Sequence, residues 1–305
     1  MTSRSGAAGR DPSLPDPGAP LTASGNLRRR QAISGLAHGG ATLSAILAVA
    51  LLAEVVYTVV QHGAGALSIG FLTHDIDNGG IANALIGTAV IVAFGAVLAI
   101  PIGVLTGLYL TEFAGASSRS AQVLKIVLDL LQGLPTIIVA VVVYGLIVLP
   151  EHKETGFAGS VALAIVMLPL IARSTEEVLA LVPGHLREGG MALGATRSRT
   201  VVTVILPTTI GGIVTSTIVA VARAAGETAP LLFTSAIFAN VVVTDPTKAM
   251  GSLPLAIYVD SELPSRFAQQ QAWAAALVLM AAVLVGAIAG RLLSLRSRRQ
   301  IERAR

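Results

Sequence analysis

The sequence predicts an all-α membrane protein with six transmembrane helices, and three observations predict it. Of the 305 residues, 53% are hydrophobic and 12% charged, about half the charge of an ordinary soluble domain. The mean hydropathy is +0.76. The apolar residues are gathered into runs that reach the 20 or so residues a helix needs to cross a bilayer, and the basic residues collect beside those runs.

Six segments meet the length requirement, at 41–61, 82–110, 123–149, 159–181, 203–225 and 272–294. The first holds a lone acid, Glu54, whose expected use is pairing with another helix. The second and third exceed the minimum and are expected to tilt or to project past the lipid. Pro101 and Pro135 lie within them and should kink both. Asp129 stands four residues from Lys125, so a local ion pair is expected there. After the fifth segment, 229–243 is apolar but short, bounded by Pro230 and the turn Asp245-Pro246. It reads as a re-entrant or extracytoplasmic piece and not as a seventh span. The 31 glycines and the low aromatic content suit helices that approach backbone to backbone in lipid.

Outside the spans, residues 1–26 are rich in Pro, Gly, Ser and Ala without period or apolar run, the composition of a disordered tail. They lack the short apolar stretch and cleavage site of a secretory signal. The chain thus divides into an N-terminal tail at 1–35, a transmembrane domain at 36–296, and a basic C-terminal tail at 297–305.

Orientation follows from the Lys and Arg distribution. With the N-terminus inside, the cytoplasmic side receives Arg4, Arg10, Arg28, Arg29, Arg30, Arg119, Lys125, Arg187, Arg197, Arg199 and six arginines from Arg291 to Arg305. The other side receives only Lys153, Lys248 and Arg266. Both termini are therefore placed in the cytoplasm of a cell (inner) membrane protein. The same distribution explains the pI near 9.8 without nucleic acid, because the arginines flank apolar spans.

Several chemistries are excluded. Without cysteine there is no disulfide framework, no zinc–thiolate site and no thiol nucleophile. A nucleotide-cradling P-loop must close on a lysine, and none of Lys125, Lys153 and Lys248 does so. No His pair has metal-ligand spacing. The chain is expected to be a non-catalytic subunit with no cofactor of its own.

Two features carry function. One is the cytoplasmic loop 182–202, with a helix opening at Pro183 and ending at Gly194. Leu186, Gly190 and Leu193 fall on one face, while His185, Arg187 and Glu188 point elsewhere. A glycine in a helix costs about 1 kcal/mol relative to alanine, and Gly189 and Gly190 are adjacent. Such a helix is built for close backbone contact, either with a soluble partner or with the ends of its own spans.

The other is a set of charges at membrane depth, where an unpaired ion costs at least ~2.5–3.5 kcal/mol. Arg223 falls near the outer end of the fifth span with Glu227 one turn on. Arg173 falls toward the inner end of the fourth with Glu176 and Glu177. Either these arginines are neutralised locally for structure, or they stand at two depths beside the path of an anion. Guanidinium matches the oxygens of an oxyanion such as phosphate, and a nearby carboxylate would weaken the grip and accept a hydrogen bond from a protonated phosphate, which fully ionised sulfate cannot donate.

The cytoplasmic loop resembles that of ABC-importer permeases, whose EAA motif reads Glu-Ala-Ala, three residues, Gly, nine residues, Ile-x-Leu-Pro. Glu188-Gly189-Gly190, Gly194 and Val204-Ile205-Leu206-Pro207 stand at that spacing, with glycine for both alanines and valine for isoleucine. Over roughly 40–295 the chain is similar to PstA-type subunits of the phosphate-specific branch, most of all in Arg223-Ala224-Ala225-Gly226-Glu227-Thr228-Ala229-Pro230-Leu231-Leu232-Phe233-Thr234. Further support comes from Gly87-Thr88, Pro101-Ile102-Gly103, Tyr109-Leu110-Thr111-Glu112, Gly133-Leu134-Pro135-Thr136, Arg173-Ser174-Thr175-Glu176-Glu177, Val182-Pro183 and Ser252-Leu253-Pro254.

The resemblance implies a type I ABC importer permease fold and an importer of inorganic phosphate. The partners it implies are a PstC-type permease as heterodimer partner, a PstB-type ATPase dimer that binds ATP and Mg, and an extracytoplasmic PstS-type phosphate-binding protein. It makes 184–200 the coupling helix, with Arg187, Glu188, Gly189, Gly190, Leu193 and Gly194 against the ATPase. Other readings are an ABC permease for sulfate or molybdate, an ATP-independent secondary transporter, and a non-transporting membrane scaffold.

Overall fold

The computed structural model describes residues 27–115, 118–236 and 241–303, and all regular structure among them is helical. It divides into two units, one ending at Tyr57 and the other beginning at Thr58. The first unit is the body of α1 (Leu27–Gly63). α1 therefore takes in residues 27–35, while the proposed tail at 1–26 lies outside the described residues. Glu54 makes no ion pair among the described residues.

The second unit continues from the end of α1 through a short helix, α2 (Ile69–Thr73). Next come α3 (Ala82–Leu108), which loosens into a π turn at Tyr109–Phe113, then α4 (Arg119–Gly133) and α5 (Thr136–Val143). A second π turn at Tyr144–Val148 leads to α6 (Leu149–Glu151) and α7 (Gly156–Ala180). The cytoplasmic loop contains α8 (Gly184–Ala192) and α9 (Arg197–Thr200). A third π turn at Val201–Ile205 joins α9 to α10 (Leu206–Ala224). Last come α11 (Leu253–Glu262) and α12 (Arg266–Arg303), which carries residues 297–303 as helix.

Five of these helical stretches are long and apolar enough to cross a membrane, and the pair α4 and α5–α6 makes a sixth crossing if taken as one span. The kink expected at Pro135 is a full break, because the two halves meet at 101°. Gly133-Leu134-Pro135 causes the break. Pro135 lacks the N–H that would continue the ladder and drives Leu134 into extended backbone, at ψ 133°. Pro101, by contrast, is absorbed within the unbroken α3.

α3, α7 and α10 form the centre of the unit. Gly95, Ala99, Gly103 and Gly107 recur every fourth residue along α3 and turn a flat strip of backbone toward α7. A Cβ on Gly103 would lie 2.8 Å from the Ile171 Cγ2, and one on Gly107 would lie 2.7 Å from the Ala172 carbonyl oxygen. Small residues at helical spacing are what lets two helices touch at the backbone in lipid. Above this strip Ile91, Leu163, Met167, Ile171, Ala220, Ala224 and Leu231 close the core. α12 flanks α10, with Gly290 against Ile218, and its Trp273 stacks on His62 with ring centroids 5.0 Å apart.

Candidate functional site

Two interruptions of helix meet within the unit. The first is the Gly133–Pro135 break of a span. The second is the end of α10, which stops at Ala224 and is followed by turns through Ser235. Ala220 and Ala224 pack beside Leu163, Ala164 and Met167, near the midpoint of α7. Arg223 lies in the last turn of the candidate span Arg197–Ala224 and lines a cavity together with Val166, Pro169 and Leu170 of α7.

Irregular backbone at membrane depth is tolerated only where protein or a cavity satisfies it, and both conditions hold. Gly226 and Glu227 donate their N–H groups to the Arg223 and Ala224 carbonyls at 3.1 Å. The Thr234 hydroxyl donates to the Pro230 carbonyl and that of Ser235 to the Met250 carbonyl, both at 2.6 Å. Leu231 packs against Ile91 of α3 and near Gly159 of α7. The described part of 229–243 thus turns back into the bundle without helix.

Between the two interruptions is a cavity of about 220 Å³ lined by Leu131, Gln132, Leu134, Thr136, Val139, Val166, Pro169, Leu170, Arg223 and Glu227. Gln132 is fixed by donating to the Pro169 carbonyl at 3.4 Å. The expected Arg223–Glu227 ion pair is not formed. Among the described residues, neither side chain has a hydrogen-bond or salt-bridge partner. Arg223 is exposed and Glu227 half-buried. A cation at the C-terminus of α10 is favoured by the helix dipole. The cavity therefore presents one free guanidinium, one carboxylate, an amide and a hydroxyl, a donor-rich lining for a small anion.

Arg173 is not in this cavity. Its guanidinium bonds Glu176 at 2.8 Å and Asp129 of α4, and reaches the Lys125 carbonyl at 3.3 Å. Lys125 in turn pairs with Glu176 at 2.8 Å. The local Lys125–Asp129 pair expected from sequence is replaced by two pairs across helices, because α4 crosses α7 at this level. Two cations and two anions balance one another. Glu177 is exposed and takes no part.

On the cytoplasmic side, α8 is capped by Pro183, and Gly194 adopts φ +81°, the left-handed geometry that reverses the chain. The Gly194 N–H reaches the Met191 carbonyl at 2.9 Å and that of Ala195 the Gly190 carbonyl at 3.3 Å. Leu186 packs inward with Leu179 and Val201, and Gly190 abuts Thr200. Leu193, expected on the same face, is instead 91% exposed. The helix ends at Ala192, so residue 193 leaves the register. Glu188, Gly189, Met191 and Leu193 form an outward surface. Arg187, expected to point away from the packed face, turns into the chain onto Glu112.

The helical bundle with an exposed cytoplasmic helix pair between its fourth and fifth spans is the architecture of an ABC-importer permease. The structure aligns with an inward-facing structure of the MetNI methionine ABC transporter at TM-score 0.60 and 21% identity, covering 76% of this chain and 99% of that one. An amino acid ABC transporter crystallised with histidines aligns at TM-score 0.52 and 18% identity, over 72% and 93% of the two chains. These likenesses speak to fold alone. The chain belongs to the family described as binding-protein-dependent transport system inner membrane component, matched over residues 99–299, and within it to the PstA-type permease subunits.

The relatives include a phosphate transport system permease protein PstA from Haemophilus influenzae, 37% identical over 79% of this chain and 86% of that one. The probable PstA of Methanocaldococcus jannaschii is 36% identical over 79% and 85%. PstA from Xylella fastidiosa strain Temecula1 is 32% identical over 91% and 98%. The chain is thus a non-catalytic, multi-pass inner-membrane permease subunit of an ABC importer, working with a second permease, a cytoplasmic ATPase and a binding protein.

Proposed function

We propose that the cargo is inorganic phosphate and that Arg223 and Glu227 contact it at mid-membrane. The observation that carries this reading is the Arg223 guanidinium, which has no partner among the described residues and lines a cavity between the α4–α5 break and the end of α10. An unpaired charge at that depth is costly and is retained where a path needs it. Glu227 tempers the grip and accepts a hydrogen bond from a protonated phosphate. Arg173 and Glu176 lie lower beside the same path, engaged by Lys125 and Asp129 in this conformation. Glu177 marks its cytoplasmic end. The names of the relatives support the same cargo, as does the 223–234 stretch.

In this reading the partners are a PstC-type permease, a PstB-type ATPase dimer and a PstS-type phosphate-binding protein. The ATPase receives Glu188, Gly189, Met191 and Leu193, with Arg187, Gly190 and Gly194 shaping the helix that presents them. Uptake of labelled phosphate into proteoliposomes holding the full complex tests the reading. Phosphate should enter only with ATP and in the face of excess sulfate or molybdate. Equal competition by sulfate would make the chain a permease for another oxyanion.

A further inference from the structure

The Arg187 side chain does more than leave the surface of α8. Its Nε lies 3.1 Å from both carboxylate oxygens of Glu112, and its Nη2 lies 2.7 Å from one of them. The same guanidinium donates to the Leu179 carbonyl at 2.9 Å and the Val182 carbonyl at 2.6 Å. Glu112 is 2% exposed and belongs to the π turn that ends α3. Leu179 and Val182 stand where α7 runs out, among carbonyls that a helix end leaves without partners. One side chain of α8 thus holds the cytoplasmic ends of both α3 and α7.

The opposite flank of α8 is tied differently. Gly190 leaves no room for a Cβ against Thr200, and the buried Thr200 hydroxyl has no hydrogen-bond partner among the described residues. A cavity of about 240 Å³ lies there, bordered by Met191, Arg197, Thr200, Val201 and Ile205 as well as by the ion pair. α8 is therefore hydrogen-bonded to the ends of α3 and α7 through Arg187, and packs on α9 and the start of α10 through apolar contacts of Leu186 and Gly190. α3 and α7 are themselves joined along the glycine strip, which leaves no slack between them.

We propose that Glu112 and Arg187 are positioning residues for energy coupling, forming the rigid link by which movement of α8 carries α3 and α7 as one body relative to α10. The cavity of Arg223 and Glu227 is walled by α7 on one side and by the end of α10 on the other, so such a displacement changes its width. The proposal rests on the reading of α8 as the ATPase contact. A buried ion pair is weak evidence for stability, since apolar replacements often do as well. The five directed bonds of Arg187, three to Glu112 and two to carbonyls, fix geometry.

Because the chain has no cysteine, introduced cysteines can be spin-labelled in the full complex in lipid nanodiscs. His185→Cys on α8 is paired with Leu105→Cys on α3, and separately with Ile210→Cys on α10. On adding ATP to a complex whose ATPase cannot hydrolyse it, the first distance should stay fixed and the second should change. Glu112→Gln should broaden the first distance and raise ATP consumed per substrate imported by about tenfold, the scale of losing a charge-assisted bond. Arg187→Lys, which keeps the charge without the fork, should fall between. A nucleotide-dependent change in the first distance in the parent protein overturns the link, and so does Glu112→Gln with parental distance and coupling. The parent distances decide even if a variant fails to assemble. Failure of Leu193→Cys to cross-link to the ATPase would instead remove the reading of α8 beneath it.

Discussion

Arg223 and Glu227 are one turn apart in sequence and share a cavity, yet they do not bond to each other. The end of α10 separates them, since Arg223 is in its last turn and Glu227 in the turn that follows. Each keeps its bonding capacity for a third group. Arg223→Ala should therefore abolish uptake, and Arg223→Lys should weaken it by roughly 10- to 100-fold, as expected for one lost charge-assisted bond. Glu227→Gln should slow release more than binding. Uptake by complexes that purify in parental amounts checks all three, and normal transport by Arg223→Ala would remove the residue from the path.

Gly194 offers a separate test. Its φ of +81° is open to glycine and costs a Cβ-bearing residue about 1–2 kcal/mol, although space for a Cβ is available. Gly194→Val should reshape the end of α8 and uncouple ATP hydrolysis from transport, while Gly194→Asn should be nearly tolerated. The two variants differ in conformational preference more than in bulk. If valine and asparagine behaved alike, the left-handed turn would not be what coupling requires.

The Lys125–Glu176 and Arg173–Asp129 pairs fasten α4 to α7 below the cavity. Asp129 is largely exposed in this cluster, so Asp129→Asn should cost under about 1 kcal/mol. Arg173→Met removes bonds to two carboxylates and should cost more, seen as a lower unfolding temperature of the solubilised complex. Restoration by Asp129→Leu in the Arg173→Met background would identify the cluster as a fastening. Persistent loss of uptake in a restored double variant would assign Arg173 to the path.

What the sequence disclosed and what it concealed divide along physical lines. Span positions and the Gly194 turn depend on local composition or local backbone preference, and each is found where expected. The bend at Gly133-Leu134-Pro135 was legible too, since a glycine and a proline two residues apart interrupt a segment already longer than one span. The pairing of Asp129 with Arg173 was not, because it depends on where α4 crosses α7. Glu112 and Arg187 are separated by 75 positions, and only the folded helix ends bring them together. The cavity that Arg223 shares with α7 was concealed for the same reason, as it depends on where α10 stops relative to α7.

The α3–α7 strip predicts a sharp positional contrast. Gly103→Leu would force a side chain into Ile171, and overpacking of this kind costs about 1–3 kcal/mol or more. Gly115→Leu meets open space and should be silent. Membrane abundance and unfolding temperature of the two variants measure the difference. Equal stability would mean that the two helices can part at that level without loss.

Outside the spans, burial pushes the carboxyls of Glu154 and Asp260 above their ordinary range. For a carboxylate with a folded-state value above its unfolded one, the charged form is penalised in the fold, so stability is lost as pH rises through this window. Replacement by a neutral isostere removes that penalty only where the acid is ionised. Asp260→Asn and Glu154→Gln should therefore raise the unfolding temperature at pH 7 and match the parent below about pH 4, where both acids are protonated. Asp245 provides the opposite sign. The Thr247 N–H and hydroxyl hold it below its usual range. Asp245→Asn should lower the unfolding temperature at pH 7, with the difference fading as acid protonates the parent. A thermal-shift series across pH on the three variants separates the cases, since desolvation and hydrogen bonding move the same chemical group in opposite directions.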